Sequence, residues 1–244
     1  MVAAACGGGD ANESSEGGDG ANGDPGSTEP TYGGELEYGL EAESSGGWCL
    51  PESQLAISGI QVARAVYDTL TVPNEDGDYV GMLAESVEPN DDFTQWTITL
   101  RSGVTFHDDT ALDATVVKNN IDAWRGAYPA RTPLLLLFAY SPITDVTVID
   151  DTTLTVTTDV AWPAFPSYLF YTGRVGIMAQ AQLDDTDSCD TNLIGTGPFV
   201  FEEWQVNDFL SLSRNPDYWA TDEDGNQLPY LDELTFRPFP DGAA

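Results

Sequence analysis

His107 is the sole histidine of the 244-residue chain, so any chemistry built on an imidazole has to pass through it. A Ser-His-Asp arrangement needs its nucleophile on a tight turn, and no Gly-x-Ser-x-Gly elbow occurs. Paired carboxylates are the other common route to hydrolysis. Here 41 Asp and Glu residues stand against eight Lys and Arg, and with nearly every loop acidic that abundance singles out no pair. Asp222, Asp224, Asn226 and Glu233 fall at the first, third, fifth and twelfth places of a calcium loop. Gln227, however, occupies the place where the sharp turn needs glycine, Pro229 interrupts the run, and no helix flanks it. The stretch reads as a solvated acidic turn, and no metal or cofactor is expected.

The elements that would position such residues follow from periodicity. Gly34 to Glu41 alternates apolar and acidic residues, which predicts a half-buried strand. Ile57, Ile60, Ala63, Arg64, Val66, Tyr67 and Leu70 recur at helical spacing, predicting a helix that ends near Leu70 with Ser58 available as its cap. Three hairpins follow from strand-turn-strand patterns: Ser86–Pro89 with Thr94–Leu100, Val146–Val156 around Asp150-Asp151, and Phe199–Trp204 with Phe209–Ser213. Between the first two, Asp113 can cap a helix presenting Val116, Val117, Asn120, Ile121 and Trp124 on one side. Gly195 and Gly197 read as a tight turn rather than a phosphate cradle, since neither a lysine nor a helix follows. Asn215-Pro216-Asp217 ends a strand over Tyr218 and Trp219, and Leu234 to Phe239 is a last strand. Strands mixed with helices of ordinary length argue for an α/β or α+β class. The longest apolar run, Pro133 to Tyr140, is far too short to span a bilayer.

A formal net charge of −33 makes the surface repel phosphate backbones and anionic headgroups, which excludes nucleic acid as a partner. Gly7 to Pro30 is Gly, Ser, Asn, Asp and Glu with no aromatic residue, so it cannot offset the entropy of ordering and reads as a flexible tether. Ala3-Ala4-Ala5-Cys6-Gly7 at its head resembles the lipobox of bacterial lipoproteins, in which the cysteine carries lipid. Ala3 replaces the usual leucine, and an apolar signal segment would have to lie upstream of Met1. With Cys6 lipidated, Cys49 and Cys189 remain as an even pair that an oxidising compartment would let bond, the alternative being two unrelated buried thiols. Such a bridge closes a long loop and contributes roughly 4 to 5 kcal/mol in the chain-entropy model.

Three motif blocks carry a family resemblance. They are Leu83-Ala84-Glu85-Ser86 with Trp96 through Thr110, Gly195-Thr196-Gly197-Pro198-Phe199 leading to Arg214-Asn215-Pro216-Asp217-Tyr218-Trp219, and Pro229-Tyr230-Leu231-Asp232-Glu233 entering the last strand. In this order they resemble the solute-binding proteins of ABC importers for oligopeptides, dipeptides and nickel, from about Thr31 to the end of the sequence. Asp109 stands where the family usually has glycine and Ala111 where it has proline, and Ala114-Thr115-Val116-Val117 lacks the usual acidic residue.

The resemblance implies a periplasmic-binding-protein-like (type II) lobe with a mixed sheet and an inserted hairpin-rich subdomain. Residues 1–30 are then leader and tether, and residues 31–244 the N-terminal part of a receptor, ending at the first strand that crosses to a second, mostly absent lobe. It further implies a monomeric, non-enzymatic receptor, periplasmic or lipid-anchored outside the cytoplasmic membrane, that hands a small solute, foremost a peptide, to a permease. Candidate cleft residues are Glu43, Ser44 and Trp48 after the first strand, with Tyr140 and Tyr171. Glu43 would pair with a ligand amino group. The competing readings are a secreted carboxylate-dependent hydrolase and a surface scaffold without a small ligand.

Overall fold

The computed structural model describes residues 29–44 and 46–239, so Cys6 and nearly all of the leader and tether lie outside the described residues. In chain order the elements are β1 (Glu35–Leu40), α1 (Ile57–Val66), β2 (Thr71–Pro73), β3 (Tyr79–Gly81), β4 (Ala84–Pro89), β5 (Gln95–Leu100), α2 (Ala114–Trp124) and α3 (Leu136–Ala139). They continue with β6 (Ile143–Val148), β7 (Thr153–Thr158), α4 (Phe165–Tyr168), a 3-10 turn (Tyr171–Gly173), α5 (Gln180–Asp184), β8 (Phe199–Gln205), β9 (Phe209–Arg214) and β10 (Glu233–Pro238). No helix among the described residues is long and apolar enough to cross a membrane.

A mixed sheet runs β1-β10-β9-β8, with β1 parallel to β10 and the other pairs antiparallel. A separate sheet, β4-β5-β7-β6, is antiparallel throughout, and β2 pairs with β3. The expected hairpins are β4–β5, β6–β7 and β8–β9. Their turns are closed by short polar side chains: Asn90 Oδ1 accepts the Thr94 and Gln95 N–H groups at 2.9 and 3.0 Å, and Asp150 Oδ1 accepts Thr152 N–H at 2.9 Å. Helix α2 is capped as expected, with Asp113 Oδ1 accepting the Val116 N–H at 2.8 Å.

Each sheet organises its own core. Ile98, Leu100, Leu154 and Val156 of the antiparallel sheet pack with Val117, Ile121 and Trp124 of α2. Leu210, Leu212, Leu234 and Phe236 of the mixed sheet pack with Val62 and Val66 of α1 and with Cys49 and Cys189, which form a disulfide across 140 residues of sequence. The segment after α1 passes from one core to the other: Tyr67 belongs to the second, Leu70 to the first, and the buried polar pair Asp68 and Thr69 lies between them.

Three local expectations are corrected. Helix α1 stops at Val66 rather than near Leu70, because the Val66 carbonyl accepts the Gly197 N–H at 2.9 Å and Tyr67 turns extended, at φ −119° and ψ 129°. Ser58 does not cap α1; Ala56 stands at the cap, and Ser58 Oγ accepts the Ala42 N–H at 3.3 Å instead. Strand β1 has the expected position but not the expected burial, since Leu36 and Tyr38 remain 45% and 39% exposed. It is an edge strand, and these two side chains face an open groove floored by Ala65 and Phe236.

Candidate functional site

The loop between β1 and α1 leaves the carboxyl end of a strand with a parallel partner, the position where open α/β sheets place their ligands. Leu50, Ser53, Gln54 and Leu55 of this loop form one wall of a cavity of about 420 Å³. Leu135 and Leu136 at the start of α3 and Tyr171 and Arg174 at the 3-10 turn complete it. The walls are mostly apolar, and Arg174 is the only charged group among these lining residues.

The backbone that presents Tyr171 and Arg174 is unusual. Tyr171, Thr172 and Gly173 all take positive φ, at 40°, 57° and 83°. For the first two this is a sparsely populated conformation costing on the order of 1 to 3 kcal/mol each, of the kind that gathers at ligand clamps. Glycine suits position 173, where φ is +83° and a Cβ would lie 2.8 Å from Arg64 Cδ. Arg174 is itself held in place: its Nε donates to the Leu55 carbonyl at 3.1 Å and Nη1 donates to Thr172 Oγ1. Its Nη2 has no protein partner among the described residues, so a fixed guanidinium edge is left for an external acceptor.

The sequence-predicted candidates do not converge on this cavity. Tyr171 lines it. Tyr140 lies beneath, fully buried, with its hydroxyl donating to the Tyr168 carbonyl at 2.5 Å and its ring 6.1 Å from that of Tyr171. Trp48 is buried edge-to-face against Trp204 at 5.6 Å. Glu43 is a stitch between loops: Oε1 accepts the Ser44 N–H and Oε2 the Asn207 N–H, both at 2.7 Å. Ser44 is half-buried, with its hydroxyl facing Gly59. Arg174 was not singled out by the sequence; the scarcity of basic residues, eight in all, is the signal that could have raised it.

Residues that looked able to do chemistry are absorbed by structure. His107 Nε2–H donates to the Gly197 carbonyl at 3.0 Å while Nδ1 faces the Gly195 N–H at 3.4 Å, and burial lowers its pKa. A neutral imidazole with both nitrogens engaged is a latch on the glycine turn, not a base. Asp222 closes an Asx turn, accepting the N–H groups of Asp224 and Asn226 at 3.0 and 2.7 Å on Oδ1 and the Tyr230 hydroxyl at 2.5 Å on Oδ2. These bonds hold it at a pKa of about 2. No cluster of metal-ligating side chains occurs among the described residues.

The two halves of the second motif block meet at Asp68, an acid inside the apolar run Val66 to Leu70. Its carboxylate accepts from Thr196 Oγ1 at 3.1 Å, Tyr218 OH at 3.1 Å and Trp219 Nε1 at 2.8 Å. Gly195 and Gly197 permit this junction, since a Cβ at either would lie 2.0 or 2.6 Å from the Val66 carbonyl oxygen. Desolvation outweighs the three donors and lifts Asp68 to a pKa of about 6.

Comparison with known proteins follows this arrangement. Residues 78–244 match the family model described as bacterial extracellular solute-binding proteins, family 5 middle. The glutathione-binding protein GsiB of Salmonella paratyphi A is 33% identical over 180 residues, which is 74% of this chain and 34% of that protein. GsiB of Pectobacterium atrosepticum is 30% identical over the same length. Among solved structures, the oligopeptide-binding protein AppA of Bacillus subtilis, in complex with a nonapeptide, gives a TM-score of 0.74 at 23% identity over 87% of this chain and 41% of that one. The binding protein AgaA from A. tumefaciens R10, in complex with agropinic acid, gives 0.74 at 26% identity over 85% of this chain and 40% of that one. The chain thus spans about a third of the length of the curated relatives it matches. With the mixed and antiparallel sheets aligning to part of the periplasmic binding proteins, this chain belongs to the bacterial extracellular solute-binding proteins of family 5, a family of non-catalytic binders.

Proposed function

We propose that residues 31–239 form the greater part of one type II lobe of an ABC-importer receptor, with the β4–β7 sheet as its inserted subdomain. The receptor captures a carboxylate-bearing solute, foremost a peptide or a glutathione-like compound, and passes it to a membrane permease. Residues 1–30 tether the lobe outside the cytoplasmic membrane through lipid on Cys6.

The observation that carries this reading is Arg174, a guanidinium fixed at the rim of an apolar-walled cavity with one edge unclaimed. The unclaimed edge of a guanidinium that is already oriented by Leu55 and Thr172 complements the carboxylate that peptides and glutathione both carry. Tyr171 and the leucines supply apolar contact for the remainder of the solute. Tyr140 acts from below by supporting Tyr171, and Glu43 and Trp48 act by fixing the loops that shape the wall. The second wall of the cleft comes from the opposite lobe, closing by hinge motion.

The test is mass balance. Receptor containing this chain is equilibrated with glutathione and a dipeptide mixture, separated from free solute, then denatured, and the released solute is identified by mass. Intact solute at up to one equivalent supports a receptor; hydrolysed products would support the carboxylate-dependent hydrolase instead.

A further inference from the structure

Arg131 is a buried cation with no carboxylate at hydrogen-bond distance among the described residues. Its side chain is 5% exposed, Nη2 donates to the Asp185 carbonyl at 2.6 Å, and Nε has no partner among the described residues. Its one ion pair among those residues is a loose contact with Glu52 Oε1 at 3.9 Å, an oxygen that already accepts the Thr132 N–H at 2.8 Å. The Asp185 carboxylate is turned to Ser188 and the Asp187 N–H. Nη1, the nitrogen that makes the loose Glu52 contact, lies 2.7 Å from Cys49 Sγ, one half of a neutral disulfide.

The other half, Cys189, lies between Asp187 and Asp190 in the sequence, and these two acids line a cavity of about 360 Å³ together with both cysteines, Glu52 and Arg131. The two cysteines are equally buried, at 5% and 4%, so access does not distinguish them, whereas the Arg131 contact to Cys49 does. A thiolate on Cys49 would keep the guanidinium contact at hydrogen-bond distance, whereas Cys189 Sγ has no such donor among the described residues.

We propose that Cys189 is a thiol-exchange site for small aliphatic thiols bearing an ammonium group. The acidic rim of Glu52, Asp187 and Asp190 attracts the ammonium. The incoming thiolate attacks Cys189 Sγ, a new S–S bond forms there as the Cys49–Cys189 bond breaks, and the electron pair leaves on Cys49 Sγ as a thiolate paired with Arg131. The better-stabilised thiolate is the faster leaving group, so Arg131 directs the attack to its far side. The two loops stay joined afterwards through the Trp48 N–H, which donates to the Asp190 carbonyl at 3.0 Å.

The experiment uses the full chain carrying Cys6→Ser, so that the third thiol takes no part. It is treated with limiting cysteamine, quenched in acid, blocked with N-ethylmaleimide and mapped by peptide mass. The expected result is cysteamine on Cys189 and maleimide on Cys49, favoured by more than about tenfold over the reverse. Arg131→Met should bring the two products toward equality and slow exchange, while Arg131→Lys keeps the preference. Equal labelling in the Arg131-bearing chain, or cysteamine on Cys49, overturns the proposal even if Arg131→Met does not fold. A preference that survives Arg131→Met overturns it as well.

Discussion

The carboxylate of Asp68 and the indole Nε1 of Trp219 meet at 2.8 Å across 151 residues of sequence. The bond joins the segment that crosses between the two cores to the turn that follows β9, and the Arg101 guanidinium covers the far face of the contact, 5.1 Å from the Trp219 ring centre. A charge-capable group held in the polar layer between two apolar cores makes stability depend on pH in a defined direction.

With Asp68 lifted to about 6, the folded chain keeps a proton that the unfolded chain releases near pH 4. The folded state binds more protons in that window, so this group's contribution falls as pH rises from about 4 to 6 and remains unfavourable at pH 7 by on the order of 3 kcal/mol. His107, lowered by burial, has the opposite slope: the unfolded chain binds more protons below the ordinary histidine range, so its contribution rises with pH there. Asp68→Asn can accept from Trp219 and Thr196 on Oδ1 and donate to the Tyr218 hydroxyl from Nδ2. We expect it to retain stability at pH 7 and to show a steeper rise with pH from 4 to 6 than the parent, by urea unfolding across that range. An unaltered profile would remove Asp68 as the source.

Gly197→Ala places a Cβ 2.6 Å from the Val66 carbonyl oxygen and Gly195→Ala one at 2.0 Å. Backbone is displaced in both, so each is expected to cost about 3 kcal/mol or more and to lower the urea midpoint. A loss below about 1 kcal/mol would mean that the turn does not pack on α1 as described.

Asp113→Ala removes the acceptor of the Val116 N–H and is expected to cost about 1 kcal/mol, most of it restored by Asp113→Asn. Thermal unfolding of the pair against the parent checks this, and equal losses in both variants would point to the charge rather than the cap.

Much of the fold is legible in the sequence because its signals are local. Alternation in Gln95–Leu100 and Thr153–Thr158, the Asp113 cap and the Asn90 and Asp150 turns each act within a few residues, and all appear where their chemistry places them. The end of α1 is not legible, because its cause is the Gly197 N–H, distant in sequence. The surroundings of the cleft candidates are not legible for the same reason: what Trp48 packs on depends on Trp204, and what Glu43 bonds to depends on the Asn207 turn. Arg174 carries no local pattern at all, and only the fold brings it to Leu55 and Leu135.

The central claim is that a solute carboxylate is held by Arg174, and calorimetric titration of receptor containing this chain tests it most directly. Glutathione and a dipeptide are titrated into the parent and Arg174→Gln, with the dipeptide amide as control. The account predicts that Arg174→Gln weakens binding of the free acids by about 2 kcal/mol, roughly thirtyfold, and leaves the weaker amide nearly unchanged. Equal affinity of parent and variant for the free acids would contradict it.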